Sequence, residues 1–109
     1  MKISKYRDAE PSQEMPGVVK REVISAATGA PNFCMRVFEV EPGSATPWHA
    51  HPWEHEVYVL AGEGVAVSEG GETPVTADSV VFVPPNEQHC FRNSGSVVLR
   101  FICVIPLVE

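Results

Sequence analysis

Ten prolines and eight glycines are scattered along the whole chain, and they constrain it more than any other feature. Proline removes a backbone donor and clashes with the preceding helical turn, so this punctuation leaves no room for a long helix. Between the breakers lie short pieces rich in β-branched and aromatic residues: 18–25 (VVKREVIS), 33–40 (FCMRVFEV), 56–61 (EVYVLA), 64–68 (GVAVS), 79–84 (SVVFVP) and 97–105 (VVLRFICVI). Their composition and length predict strands. Thr28-Gly29, Glu41-Pro42-Gly43, Ala61-Gly62-Glu63-Gly64, Glu69-Gly70-Gly71, Pro84-Pro85-Asn86 and Asn93-Ser94-Gly95 carry reversal chemistry between them. Many short strands joined by such turns predict an all-β sandwich or barrel.

The 109 residues suffice for one domain and not for two. Residues 1–16, with Pro11, Pro16 and mixed charge, show no periodicity and read as an N-terminal arm that pairs with another strand or another subunit. Residues 17–109 read as a single barrel domain. Val80, Val81, Phe82 and Val83 are apolar on both faces of their strand, so the outer face needs a cover. A second sheet, the arm or a partner subunit can supply it, and a homodimer is the expected solution.

Fourteen acidic against eight basic side chains give a formal charge of -6, and all three lysines fall within the first twenty residues. Such a chain repels phosphate backbones and anionic lipid, which excludes nucleic acid and membrane surfaces as expected partners. The start, MKISKYRDAEPSQ, has no apolar segment behind its charges, and no run of about 18 apolar residues occurs. Cys34, Cys90 and Cys103 are odd in number and form no CxxC pair, so a reducing, cytoplasmic location is expected.

The chemistry gathers on histidine. Three of the four histidines, His49, His51 and His55, fall inside the string WHAHPWEHE, and His89 follows the proline turn. In extended chain, residues i and i+2 share a face, so His49 and His51 can grip one ion together. His55 shares parity with Val57 and Val59, while Glu56, Tyr58 and Leu60 point the other way. His89 shares parity with Phe91, so a neighbouring strand brings its imidazole to the same point.

Gly43, His49, His51, His55 and Gly62 stand at the spacings of the first motif of the cupins, G(X)5HXH(X)3,4E(X)6G, and the segment resembles it closely. The second motif, G(X)5PXG(X)2H(X)3N, is matched by Pro84, His89 and Asn93, with Asp78 and Asn86 where the family usually has glycines. The resemblance covers residues 43–93 by motif and nearly the whole chain by strand pattern. It implies a double-stranded β-helix, or jelly-roll, barrel with a metal held inside by the histidines of both motifs. The first motif's glutamate position falls on His55, since six residues separate it from Gly62. That makes His49, His51, His55 and His89 the expected ligands, with Glu56 facing outward or bonding an imidazole from behind.

The resemblance implies one divalent transition metal per chain, Mn²⁺ first and Fe²⁺ second. Ni²⁺, Cu²⁺ and Zn²⁺ also accept imidazole. Phe91, Phe101, Cys103 and Ile105 are expected to line an apolar chamber with Val57, Val59, Val81 and Val83, suited to a small organic molecule. Cys103 is either a further ligand or a buried inert thiol. Trp48 and Trp53 sit at the mouth or pack beneath the rim. Arg36 lies mid-strand, where a guanidinium can clamp a carboxylate, and Arg92 and Arg100 have outward parity. No inward Glu, Lys or Tyr is legible for acid/base work, because the lysines are N-terminal and Tyr58 faces out. That leaves chemistry intrinsic to the metal, and the leading expectation is a dioxygenase-type oxidoreductase. The rivals are a non-catalytic metal-dependent binding module and a metal-assisted isomerase or hydrolase.

Overall fold

The computed structural model describes residues 1–107. Nine strands follow in order: β1 (Pro11–Met15), β2 (Val18–Ile24), β3 (Phe33–Val40), β4 (His55–Ala61), β5 (Glu63–Ser68), β6 (Gly71–Thr76), β7 (Val80–Val83), β8 (His89–Asn93) and β9 (Leu99–Pro106). They form a six-stranded sheet, β1-β2-β3-β9-β4-β7, packed on a three-stranded sheet, β6-β5-β8. The expected all-β, double-stranded β-helix architecture is the one observed. The six strands expected from composition correspond to β2, β3, β4, β5, β7 and β9. Composition does not reveal β6, which contains Pro74; it is an edge strand, where a missing N–H is tolerated.

Alternation sets what faces the interior. Along β9 the odd residues Leu99, Phe101, Cys103 and Ile105 are buried while their neighbours are only partly so. Register carries the same face across the sheet: Phe38 lies opposite Phe101, Arg36 opposite Cys103, and Val57 and Val59 opposite Cys103 and Phe101 on the other side. The stacked rings of Phe38 and Phe101 (5.1 Å) and the Phe91–Phe101 contact (4.9 Å) join the two sheets. Each such buried side chain contributes about 1.5–3 kcal/mol of apolar burial.

The N-terminal arm is docked. Residues 11–15 pair antiparallel with β2 as the sheet's outermost strand. Ahead of them, the 3-10 turn Tyr6–Asp8 places Tyr6 among three guanidiniums, those of Arg7, Arg21 and Arg100 at 4.8, 5.8 and 5.2 Å from its ring. The Tyr6 hydroxyl donates to Glu39, which also pairs with Arg21 at 2.9 Å, and accepts from Arg100. Arg100 is thus engaged on the outer face, and Arg92 forms an exposed bidentate pair with Glu72.

Two loops hold the small sheet in place. Asn93, buried at the end of β8, donates its amide to the carbonyls of Val40 and Val97 and accepts from the Gly95 N–H, tying β3, β8 and the turn before β9. Gly62 turns between β4 and β5 with φ 91°, and a Cβ there would stand 2.5 Å from the Val98 carbonyl. Among the described residues, Asp78 (φ 73°) and Asn86 (φ 69°) are the non-glycine residues with left-handed backbone, and they occupy the two positions where the motif usually has glycine. The turn geometry is retained, and Asp and Asn are the residues that tolerate it best after glycine. We expect Asn86→Val to lower stability by about 1–2 kcal/mol and Asn86→Gly to leave it unchanged or raised, read as denaturation midpoints.

Candidate metal centre

The loop 41–54 carries His49 alongside β8. His49 and His89 exchange backbone hydrogen bonds (3.2 and 3.0 Å), and the same ladder continues through Thr46 to Phe91 and Ser44 to Asn93. Thr46 adds a buried side-chain bond, accepting from the Phe91 N–H at 2.8 Å. This pairing sets the His49 and His89 rings 5.0 Å apart, centroid to centroid. His55 arrives from β4 in the opposite sheet, with its ring 4.8 Å from that of His89.

One nitrogen from each of His49, His55 and His89 lies within 4.8 Å of the other two, forming a group that could hold a metal ion. His51 borders this triad, with its ring 4.5 Å from His49 and 5.5 Å from His55, but its nitrogens stand outside the compact set. It is stacked on Trp53 at 4.4 Å with the planes 8° apart. Trp53 therefore packs beneath the rim, whereas Trp48 is half exposed.

The donor set fits a divalent transition ion. The Nδ1 of His89 bonds the Glu87 carbonyl at 2.9 Å, which leaves Nε2 to face the chamber as a lone-pair donor. The Nδ1 of His55 is buried and has no hydrogen-bond partner among the described residues. Burial lowers the pKa of His49 to about 4, helped by the nearby His51 and His89, and that of His55 to about 3, helped by His89 and Arg36. His51 is lowered too, by burial and then by His89 and Arg36. Neutral imidazole is the form that ligates.

The histidines line a chamber of about 360 Å³ together with Phe38, Phe91, Phe101, Cys103 and Ile105. Phe91, Phe101 and Cys103 are buried side chains of its wall. Cys103 is not among the converging donors. Burial pushes its thiol pKa up, and the sulfur accepts from Arg36 Nη2 at 3.0 Å. Glu56 is exposed on the outer face, where hydrogen bonding to Glu54 raises its pKa, and it does not line the chamber.

One sequence expectation is corrected. Glu14, Lys20 and Glu22 line this chamber, so acidic and basic groups do face it. Their position follows from the β1–β2 hairpin: Lys20 and Glu22 share parity with buried Val18 and lie opposite Phe38 and Arg36 of β3. Lys20 stands 3.6 Å from Glu14 and 3.9 Å from Glu22. Parity along 18–22 was the available signal, but only the pairing of the arm shows that the chamber extends that far.

The depressed imidazoles set a pH dependence. Histidine in the unfolded chain titrates near 6.5, well above the folded values of about 4 for His49 and about 3 for His55. Between these limits the unfolded state binds more protons, so stability is fully present above about pH 6.5 and declines as pH falls towards the folded values. Denaturation midpoints of the chelator-treated protein should fall between about pH 6.5 and pH 5, above the range where carboxylates titrate. His55→Gln should flatten that slope.

The cupin domain family (Cupin_2) matches residues 36–105. Over 111 residues the chain is 32% identical to the oxalate-binding protein of Thermotoga maritima, covering 98% of this chain and 86% of that one. It is 29% identical over 102 residues to protein SchB of Streptomyces halstedii, covering 93% and 74% respectively. Among solved structures, the polyketide cyclase RemF from Streptomyces resistomycificus superposes with a TM-score of 0.89 at 32% identity, covering 99% of this chain and 80% of that one. A predicted oxalate decarboxylase from Thermotoga maritima gives 0.83 at 29% identity, covering 98% and 100%. With the motif histidines converging between two jelly-roll sheets and the family matched over most of its length, the chain belongs to the cupins.

Proposed function

We propose that the chamber is a metal-dependent enzyme site for small oxo compounds, with the ion held by His49, His55 and His89 and by His51 as fourth ligand. The observation that carries this reading is the convergence of three imidazoles in the wall of an aromatic-lined chamber. The names of the relatives support the substrate class, since oxalate and polyketides both bear carbonyl oxygens on adjacent or alternate carbons. Mn²⁺ is the first candidate and Fe²⁺ the second; Ni²⁺, Cu²⁺ and Zn²⁺ suit imidazole as well.

A divalent ion bound there supplies Lewis-acid polarisation of a carbonyl oxygen. The chain supplies the rest. Phe38, Phe91 and Phe101 exclude water from the reacting molecule, and Glu14 and Glu22 accept a proton from the carbon beside the carbonyl, with Lys20 between them to return one. These groups displace the oxygenase from first place, since its case rested on their absence. Oxidative cleavage remains the second reading, favoured by an all-imidazole donor set that suits redox-active Mn or Fe.

Two properties accompany the site. Val80 and Phe82, 72% and 60% exposed, form with Tyr58, Ile102 and Val104 an apolar groove on the outer face of β4, β7 and β9. A second copy of the chain covers this groove, giving the homodimer. Cys34, Cys90 and Cys103 are all unpaired, which suits the reducing cytoplasm. No helix among the described residues is long and apolar enough to cross a membrane.

Elemental analysis of protein purified without chelator should find about one transition ion per chain. His89→Ala should lose it while remaining folded by circular dichroism, and Glu56→Gln should keep it. In D₂O the loaded protein should exchange the methyl protons of pyruvate, read by NMR, and the Glu14→Gln/Glu22→Gln double variant should slow exchange by about 100-fold. Oxygen uptake with 2,4-pentanedione in place of proton exchange would establish the oxygenase instead, and binding with neither would leave a binding module. Phe82→Glu should halve the mass measured by light scattering.

A further inference from the structure

The chamber wall holds two cations, and they are not equivalent. Lys20 is flanked by Glu14 and Glu22. Arg36 has no such partner: among the described residues, no carboxylate oxygen lies within 4.0 Å of its guanidinium. Its cross-strand neighbour Glu22 is turned to Lys20 instead. Arg36 Nε is buried and makes no hydrogen bond, Nη2 rests on the neutral sulfur of Cys103, and the guanidinium carbon lies 5.2 Å from the Phe38 ring centroid. A thiol and a ring face compensate a guanidinium poorly, and a shielded, unpaired charge is costly. Glu14 and Glu22 both turn to Lys20, so the guanidinium stands without a carboxylate of its own, and a divalent ion at the histidines would leave the chamber net positive.

We infer that Arg36 is the specificity-determining residue of the chamber and that it takes the carboxylate of a small oxo acid, whose carbonyl oxygen points to the histidines. The terminal N–H groups not engaged by Cys103, one on each Nη, donate to the two carboxylate oxygens in the planar fork that arginine offers and lysine does not. The ligand's charge replaces the counter-ion that the protein leaves out. This assignment rests on the reading that the histidines hold an ion, and it adds the chemical class of the molecule that enters with it.

The test compares pyruvate with pyruvamide, which share shape and carbonyl but differ in charge, by titration calorimetry on the full-length, Mn²⁺-loaded protein. The metal favours the carboxylate in every variant, so the informative quantity is the change in the pyruvate-to-pyruvamide affinity ratio. Arg36→Gln should lower that ratio by about 10- to 100-fold with Mn content per chain unchanged. Arg36→Lys, which keeps the charge and loses the fork, should give an intermediate ratio. A loaded Arg36→Gln protein with the wild-type ratio overturns the role of Arg36 alone. Should Arg36→Gln fail to fold, a wild-type ratio in Arg36→Lys overturns it equally. Wild-type protein that takes up none of Mn²⁺, Fe²⁺, Ni²⁺, Cu²⁺ or Zn²⁺ overturns the metal reading and this assignment with it.

Discussion

The reciprocal backbone pairing of His49 with His89 is the contact on which the site depends. It ties a proline-rich loop to the β8 edge of the small sheet through isolated bridges and sets two imidazoles side by side. His55 reaches them from the large sheet, so the triad exists only when the two sheets are packed. Phe91 and Phe101, which make that packing, also form the chamber wall. The apolar contacts that stabilise the barrel therefore also hold the imidazoles together.

Charge is segregated by the same alternation. On the outer face, Glu39 neutralises Arg21 and receives the Tyr6 hydroxyl, while Arg92 pairs with Glu72, and these groups anchor the N-terminal turn and the small sheet. On the inner face, burial holds His49 and His55 neutral at physiological pH, and Lys20 absorbs the nearby carboxylates. Arg36 is left as a cation on the chamber wall that, among the described residues, donates to a thiol and to no carboxylate. A structural role alone would not call for a guanidinium here, because an apolar residue would fill the same space beside Phe38 and Cys103 without the desolvation cost.

Asp78 and Asn86 show how far a motif can be read as physics. Its glycines mark left-handed backbone, and the chain keeps that backbone with the two residue types that tolerate it next best. The motif asparagine is likewise structural: Asn93 satisfies two carbonyls from different segments and caps its own turn. The shift from glutamate to His55 is legible too, since parity with Val57 and Val59 puts it on the buried face and Glu56 on the exposed one.

The sequence by itself determined six of the nine strands, their inward faces and which histidines are candidates for one site, because these follow from local propensity, two-residue periodicity and motif spacing. The docking of residues 6–15, the convergence of His49, His55 and His89 without the nitrogens of His51, and the contact of Lys20 and the exposed Glu14 and Glu22 with the chamber were decided only by the tertiary structure. Periodicity says that residues share a face; it does not say which strand lies opposite or how far the enclosed space reaches. Those follow from register between segments distant in the chain, such as Glu22 beside Arg36 and Arg36 beside Cys103, which form only when the sheet is assembled.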